Sequence, residues 1–402
     1  MAVGLQAPDS LPAIAGITVG TGAAGIRRKD REDLVIFLCE PGTRAAACFT
    51  RNRFQAAPVI VAREHLAARP APRALVINSG NANAGTGEPG LADARAVCRA
   101  LADCTDISEQ EVLPFSTGVI GQRLPAGRIA ETLPAVLANA APDGWLDAAR
   151  AIMTTDTVPK GAWRRVETDA GTVTLTGIVK GSGMICPDMA TMLAFVATDA
   201  SIPGAGLQDC LSRAVEQSFN RTTVDGDTST NDACLLLATG KGPALAGDDL
   251  ARFQAALDEL CRELAQAVVR DGEGATKFVE VAVSGAAGDD DARRVALTVA
   301  HSPLVKTALF ASDANWGRIL AAVGRAPVEQ LDVARVGIAV NGCTIVSAGG
   351  VDPGYKEEQG AAAMAAEEIT IAIDLGLGTG SCSIWTSDLS HGYVTINAEY
   401  RT

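Results

Sequence analysis

A chain of 402 residues with 48% hydrophobic and 20% charged side chains has the length for two or three domains and enough apolar material for large buried cores. Its 34 Lys and Arg against 47 Asp and Glu give a formal net charge of −13, and no run of Lys and Arg is long enough for a nucleic-acid or membrane-surface stripe. Small polar metabolites are the expected partners, with no nucleic acid and no membrane; no basic segment follows Met1, so a cytoplasmic protein without signal peptide or span is expected.

Taken in order, the first part reads as β-rich up to about residue 80, with short apolar runs at Asp33 to Cys39, Ala45 to Thr50 and Arg73 to Asn78. A Gly- and Asn-rich stretch, Asn78 to Gly87, reads as loop punctuation before a helix from about Leu91 to Ala102, with Ala94, Val97, Cys98 and Leu101 on one face. Helices are expected over Ala126 to Asn139 and Trp145 to Met153. The alternation of Thr172-Val173-Thr174-Leu175-Thr176 after Asp169-Ala170-Gly171 predicts a hairpin that delivers Lys180 to a Gly-rich loop. Further helices are expected over Ala205 to Ser218 and Asp248 to Val269, then a strand over Phe278 to Val283 and helices over Pro303 to Phe310 and Trp316 to Val323. Strands are expected at Val336 to Val346 and Ile369 to Asp374, and a last one at Tyr393 to Asn397.

Two tempting motifs fail on spacing. Asp225 to Asp232 resembles a calcium loop, but position six is Thr230 instead of glycine and position twelve is Leu236 instead of glutamate. Gly376-Leu377-Gly378-Thr379-Gly380 continues into a strand-like run, so the helix that a dinucleotide loop requires is missing. The ten cysteines lie singly with no Cys-x-x-Cys pair and read as reduced, mostly buried thiols. His65, His301 and His391 are the whole histidine content, too few for a multi-histidine metal site or to favour a Ser-His-Asp triad, and neither metal nor resident cofactor is expected.

The stretch Lys180 to Phe195 holds the chemistry. Gly181 and Gly183 tolerate positive φ, and Pro187 fixes its own φ and pushes Cys186 toward extended backbone, so a tight turn can present the Ala190–Thr191 carbonyl to the Thr191 hydroxyl. Attack there gives an ester, and water then frees a chain that begins with threonine. Its α-amine, with an ordinary pKa of about 7.7 to 8.0, lies within reach of its own Oγ as a base. The alternative is a turn whose Met184, Ile185, Met192, Leu193 and Phe195 are core residues.

Lys180 to Phe195 resembles the processing site of the glutamate N-acetyltransferase, or ornithine acetyltransferase, family. The similarity continues through Ser116 to Gly121, Asn220 to Asp232, Asp271 to Lys277, His301 to Thr307, Asn315 to Arg318 and Asn397 to Thr402, nearly unbroken from about Gly16. The resemblance implies an α/β fold of αββα-sandwich type with a smaller C-terminal α/β lobe, and a precursor cut into an α chain, 1–190, and a β chain, 191–402, assembled as α2β2. It implies Thr191 as nucleophile, and Thr117 and Gly118 as the oxyanion hole, where a side-chain O–H and a backbone N–H converge. Thr157, Lys180, Glu273, Asn397 and Thr402 become substrate-binding residues, with Lys180 suited to a carboxylate and Glu273 to an amino group.

The implied reaction is ping-pong transfer of acetyl from N-acetylornithine to glutamate, giving ornithine and N-acetylglutamate, with acetyl-CoA left open as a second donor. Two positions depart from many members, Cys186 and Asp188, where Ala and Asn are common. An N-terminal-nucleophile amidohydrolase or aminopeptidase, and a non-catalytic ligand-binding protein, are the alternatives.

Overall fold

The computed structural model describes residues 2–186 and 192–399. Thr191 with the rest of 187–191, where scission is expected, and Thr402 with residues 400–401, lie outside the described residues. The chain forms two compact units, Ala7–Asn220 with Asp227–Val268, and Met1–Gln6 with Arg221–Gly226 and Val269–Thr402.

The larger unit begins with β1 (Ile17–Gly22), β2 (Leu34–Cys39), β3 (Arg44–Phe49), α1 (Ala57–Ala68), β4 (Ala74–Asn81), α2 (Gly87–Thr105) and β5 (Val112–Val119). It continues with α3 (Ala126–Ala138), α4 (Trp145–Ala151), β6 (Lys160–Thr168), β7 (Gly171–Lys180), β8 (Leu193–Thr198), α5 (Gly204–Glu216), β9 (Ala233–Ala238) and α6 (Gly247–Arg270). One sheet has the order β1-β2-β4-β5 and the other β3-β9-β8-β7-β6.

The period of two along β2 decides the layering. Val35 and Phe37 point to a core shared with Phe195, Leu193 and Leu235 of the second sheet, whereas Leu34 and Ile36 pack with Val61, Leu101 and Leu133 from α1, α2 and α3. Phe195 joins the two sheets, with its ring 5.7 Å from Phe37 and 5.1 Å from Phe115. Every residue of β8 and β9 is buried, as expected of parallel-paired inner strands covered on both faces. On the outer face of that sheet, Gly177 lies where a Cβ would come 3.0 Å from Leu260 and Leu264 of α6, so glycine there lets the helix approach. Helices, sheet, sheet and helices make an αββα sandwich.

The smaller unit holds β10 (Phe278–Ala286), α7 (Asp289–Ala300), α8 (Pro303–Phe310), α9 (Trp316–Gly324), β11 (Gly337–Val340), β12 (Cys343–Ser347) and β13 (Gly350–Val351). It closes with α10 (Glu357–Met364), β14 (Glu368–Asp374), β15 (Gly380–Ser387) and α11 (His391–Ala398). Its sheet runs β13-β12-β11-β14-β10-β15. Exposure along β14 alternates strictly, so its core side packs with helices such as α7 and its other side faces solvent.

The expected division at residue 190 is one of chain scission, a different matter from these two packing units. β7 and β8 flank that point and pair antiparallel from Leu175↔Thr198 to Lys180↔Leu193.

Three expectations change. Tyr393 to Asn397 is not a strand: it lies in α11, where the Ser390 hydroxyl accepts the Gly392 N–H at the helix start and local capping prevails over β-branched alternation. Val336 to Val346 divides into β11 and β12 around Asn341-Gly342, whose φ values of 46° and 79° make the tight turn that Asn-Gly favours. The β-rich opening is interrupted by α1, whose first helical residues include Pro58.

Candidate active site

β4 and β5 run parallel in register to Gly80↔Gly118, and there the ladder slips, so Asn81 pairs with both Thr117 and Val119. Gly118 has φ +134°, and a Cβ on it would stand 2.2 Å from the Gly80 carbonyl carbon and 2.5 Å from the Asn81 nitrogen. No other residue fits this close approach. Thr117, next to it, is buried.

A mesh of amide side chains fixes the bulge. Ser116 Oγ donates to Asn78 Oδ1 at 2.6 Å, and Asn78 Nδ2 donates to the Asn81 carbonyl at 2.9 Å. Asn231, from the loop before β9, donates to the carbonyls of Ala82 at 2.6 Å and Ser116 at 2.9 Å. The Asn-rich stretch therefore does more than punctuate: Asn78, Asn81 and Asn83 are all buried.

Lys180 ends β7 and is buried. Beside it, Asp156 and Lys160 form a 2.7 Å ion pair with both side chains at 0% exposure. The same Asp156 oxygen accepts the Gly181 N–H at 2.7 Å, and its other oxygen accepts the Thr154 N–H at 2.9 Å. Burial pushes the Asp156 carboxyl up, but Lys160, Lys180 and these hydrogen bonds together hold it well below the usual carboxylate range. Thr155 Oγ1 lies 2.6 Å from Ser182 Oγ, a second tie between this loop and the Gly-rich one. Thr157 follows Asp156 directly and is exposed. Positive φ in the Gly-rich loop falls on Gly181 and on Met184, at φ +56°, instead of on Gly183. A methionine in the left-handed region costs about 1–2 kcal/mol.

Where β8 begins, the Met192 N–H donates to Asp232 Oδ1 at 3.0 Å, and Asp232 is fully buried. Burial raises its carboxyl well above the usual range, against the pull of the Met192 N–H, Ser229 and Lys180.

In the smaller unit Glu273 and Asn397 meet: Asn397 Nδ2 donates to Glu273 Oε2 at 2.8 Å. Gly274, at φ +69°, permits this, because a Cβ there would lie 2.3 Å from the Tyr393 nitrogen of α11. Lys306 Nζ donates to Thr386 Oγ1 at 2.9 Å and to the Ser387 carbonyl, and Asp388 accepts from Thr276 and Lys277, so the segment leading into α11 is tied down. Among the described residues no His, Cys, Asp and Glu cluster suits a metal ion, and no helix is long and apolar enough to cross a membrane.

Sequence reasoning missed Asp156 and Asp232 as site residues. The signals were a single carboxylate inside Thr154-Thr155-Asp156-Thr157 and a charge directly before the wholly apolar Ala233 to Ala238.

A layered sandwich with a glycine pinned against the Gly80 backbone next to a buried threonine, and with buried lysines just before the expected scission, fits a candidate acyl-transfer enzyme. The ArgJ family model matches residues 18–402. The chain is 52% identical over 407 residues to the arginine biosynthesis bifunctional protein ArgJ of Pseudomonas syringae pv. tomato, with 100% of both chains covered. To the protein of that name from Methylococcus capsulatus it is 55% identical over 393 residues, covering 97% of this chain and 96% of that one. By the family match and these full-length relatives, the chain belongs to the ArgJ family.

Among solved structures, the arginine biosynthesis bifunctional protein of Bacillus halodurans is 42% identical with a TM-score of 0.49, over 51% of this chain and 98% of that chain. The ornithine acetyltransferase of Mycobacterium tuberculosis, solved with ornithine, is 38% identical with a TM-score of 0.40, over 44% of this chain and 94% of that chain.

Proposed function

We propose that this enzyme of arginine biosynthesis cleaves itself before Thr191 and then moves acetyl from N-acetylornithine to glutamate. The observation that carries the proposal is the match to the ArgJ family over residues 18–402. In processing, Thr191 Oγ bonds to the Ala190 carbonyl carbon, the peptide C–N bond breaks, the nitrogen takes the hydroxyl proton, and water hydrolyses the ester. In transfer, the freed α-amine takes the hydroxyl proton as Oγ attacks the acetyl carbon and passes it to the departing ornithine amine. The amine of glutamate then attacks the acetyl-enzyme, releasing N-acetylglutamate and restoring the hydroxyl.

Thr117 Oγ–H and the Gly118 N–H are assigned to the oxyanion in both stages, a role worth about 10² to 10³ in rate per donor. Thr157, Lys180, Glu273, Asn397 and Thr402 are assigned to the substrate, Lys180 to a carboxylate and Glu273 to an amino group. Acetyl-CoA enters as a second acetyl donor, cytoplasm as the compartment and α2β2 as the assembly. The pairing of β7 with β8 and of β3 with β9 supports α and β chains that stay together after the cut.

Intact mass of the purified protein beside Thr191→Ala tests the reading. Two fragments in wild type alone, and an acetyl adduct on the β chain that forms with N-acetylornithine and is discharged by glutamate, are the expected result. Discharge by water regardless of glutamate would make the protein a hydrolase. An uncut, unlabelled wild type would sink the mechanism.

A further inference from the structure

Met192 is the residue just outside the β7–β8–β9 ladder, which begins at Leu193. Both its backbone groups are nonetheless held from one place: Asp232 Oδ1 accepts its N–H at 3.0 Å, and the Ala233 N–H donates to its carbonyl at 3.2 Å. Asp232 is in turn fixed through its own carbonyl, which accepts the Thr50 N–H at 3.0 Å. Its side chain is fully buried, with Ser229 beside the carboxyl.

Resting on the reading of Thr191 as nucleophile, we propose that Asp232 is a positioning residue for Thr191, acting through the Met192 amide in both self-cleavage and acetyl transfer. Met192 follows Thr191 directly in the chain, so a clamp on its N–H acts one residue from the hydroxyl that must attack. Misplacement by an ångström at a reacting centre can lower the rate by about a hundredfold.

The groups that face the carboxyl are the Met192 N–H from the start of β8, Ser229 from the loop before β9 and the Lys180 ammonium from the end of β7. Burial raises the carboxyl above the usual carboxylate range against all three. An asparagine at this position keeps an acceptor oxygen for the Met192 N–H without the ionisable group.

The test follows cleavage of the full-length chain by intact mass in wild type, Asp232→Ala and Asp232→Asn. Asp232→Ala is expected to cleave at least about tenfold more slowly. Asp232→Asn, which keeps an acceptor for the Met192 N–H, is expected to restore cleavage, and the cut Asn variant to keep the wild-type KM. Asp232→Ala cleaving at the wild-type rate would overturn the proposal. So would a folded Asp232→Asn that stays uncut, and this variant decides the matter if Asp232→Ala fails to fold. An uncut wild type instead defeats the reading of Thr191 itself.

Discussion

Asp156 and Lys160 are paired at 2.7 Å with neither side chain exposed, and the pair holds the Gly181 N–H one residue beyond Lys180. Removing one partner leaves a buried charge short of compensation. Lys160→Met is expected to lower the unfolding free energy by about 3–5 kcal/mol, read from urea denaturation. The folded carboxyl of Asp156 titrates below its unfolded value, so its contribution is complete above the unfolded pKa of about 3.9 and is lost as pH falls below it. A wild-type stability that holds from neutrality down to about pH 5 and then declines, with a weaker acid-side decline in Asp156→Asn, is the expected profile.

The close approach of Gly118 to Gly80 separates a geometric role from a chemical one. Thr117→Val keeps the shape and removes the hydroxyl, and is expected to lower kcat by about 10²-fold with a small change in melting temperature. Gly118→Ala places a Cβ 2.2 Å from backbone and is expected to lower both activity and stability. Steady-state kinetics beside thermal melting tell the two apart.

Glu273 accepts a hydrogen bond from Asn397, and Glu273→Gln retains an acceptor while removing the charge. The expected result is a KM for the amine-bearing substrate raised about tenfold or more, with the urea midpoint little changed. Unchanged KM values would remove Glu273 from the substrate site.

Lys306 is buried against Thr386 and Ser387, and burial lowers its ammonium to about 8, with Asp388 and Asp225 pulling upward. The unfolded chain, with an ordinary lysine pKa of about 10.4, binds more protons between these values, so this group adds stability as pH rises through that window and loses it as pH falls back. Lys306→Met is expected to remove that slope, seen as the difference between variant and wild-type urea midpoints at about pH 7.5 and about pH 10.

Local chemistry made much of the sandwich legible. Ala94, Val97, Cys98 and Leu101 repeat at helical spacing and form the buried face of α2, and the alternation of Thr172 to Thr176 gives the hairpin of β6 and β7. The same periodicity misled at Tyr393 to Asn397, because no side chain of α11 is buried, and a period of two carries information only where one face meets a core.

At the site, the sequence by itself determined the residue types: a threonine beside glycine at 117 and 118, a glycine-rich loop after Lys180, and a threonine at 191. Tertiary structure alone decided which carboxylates serve them. Asp232 reaches Met192 across 40 residues and Asp156 reaches Gly181 across 25, and no local pattern encodes either contact. Both carboxyls are buried, but Lys160 and Lys180 pull Asp156 well below the usual carboxylate range, whereas at Asp232 burial outweighs Lys180 and the hydrogen bonds and raises it.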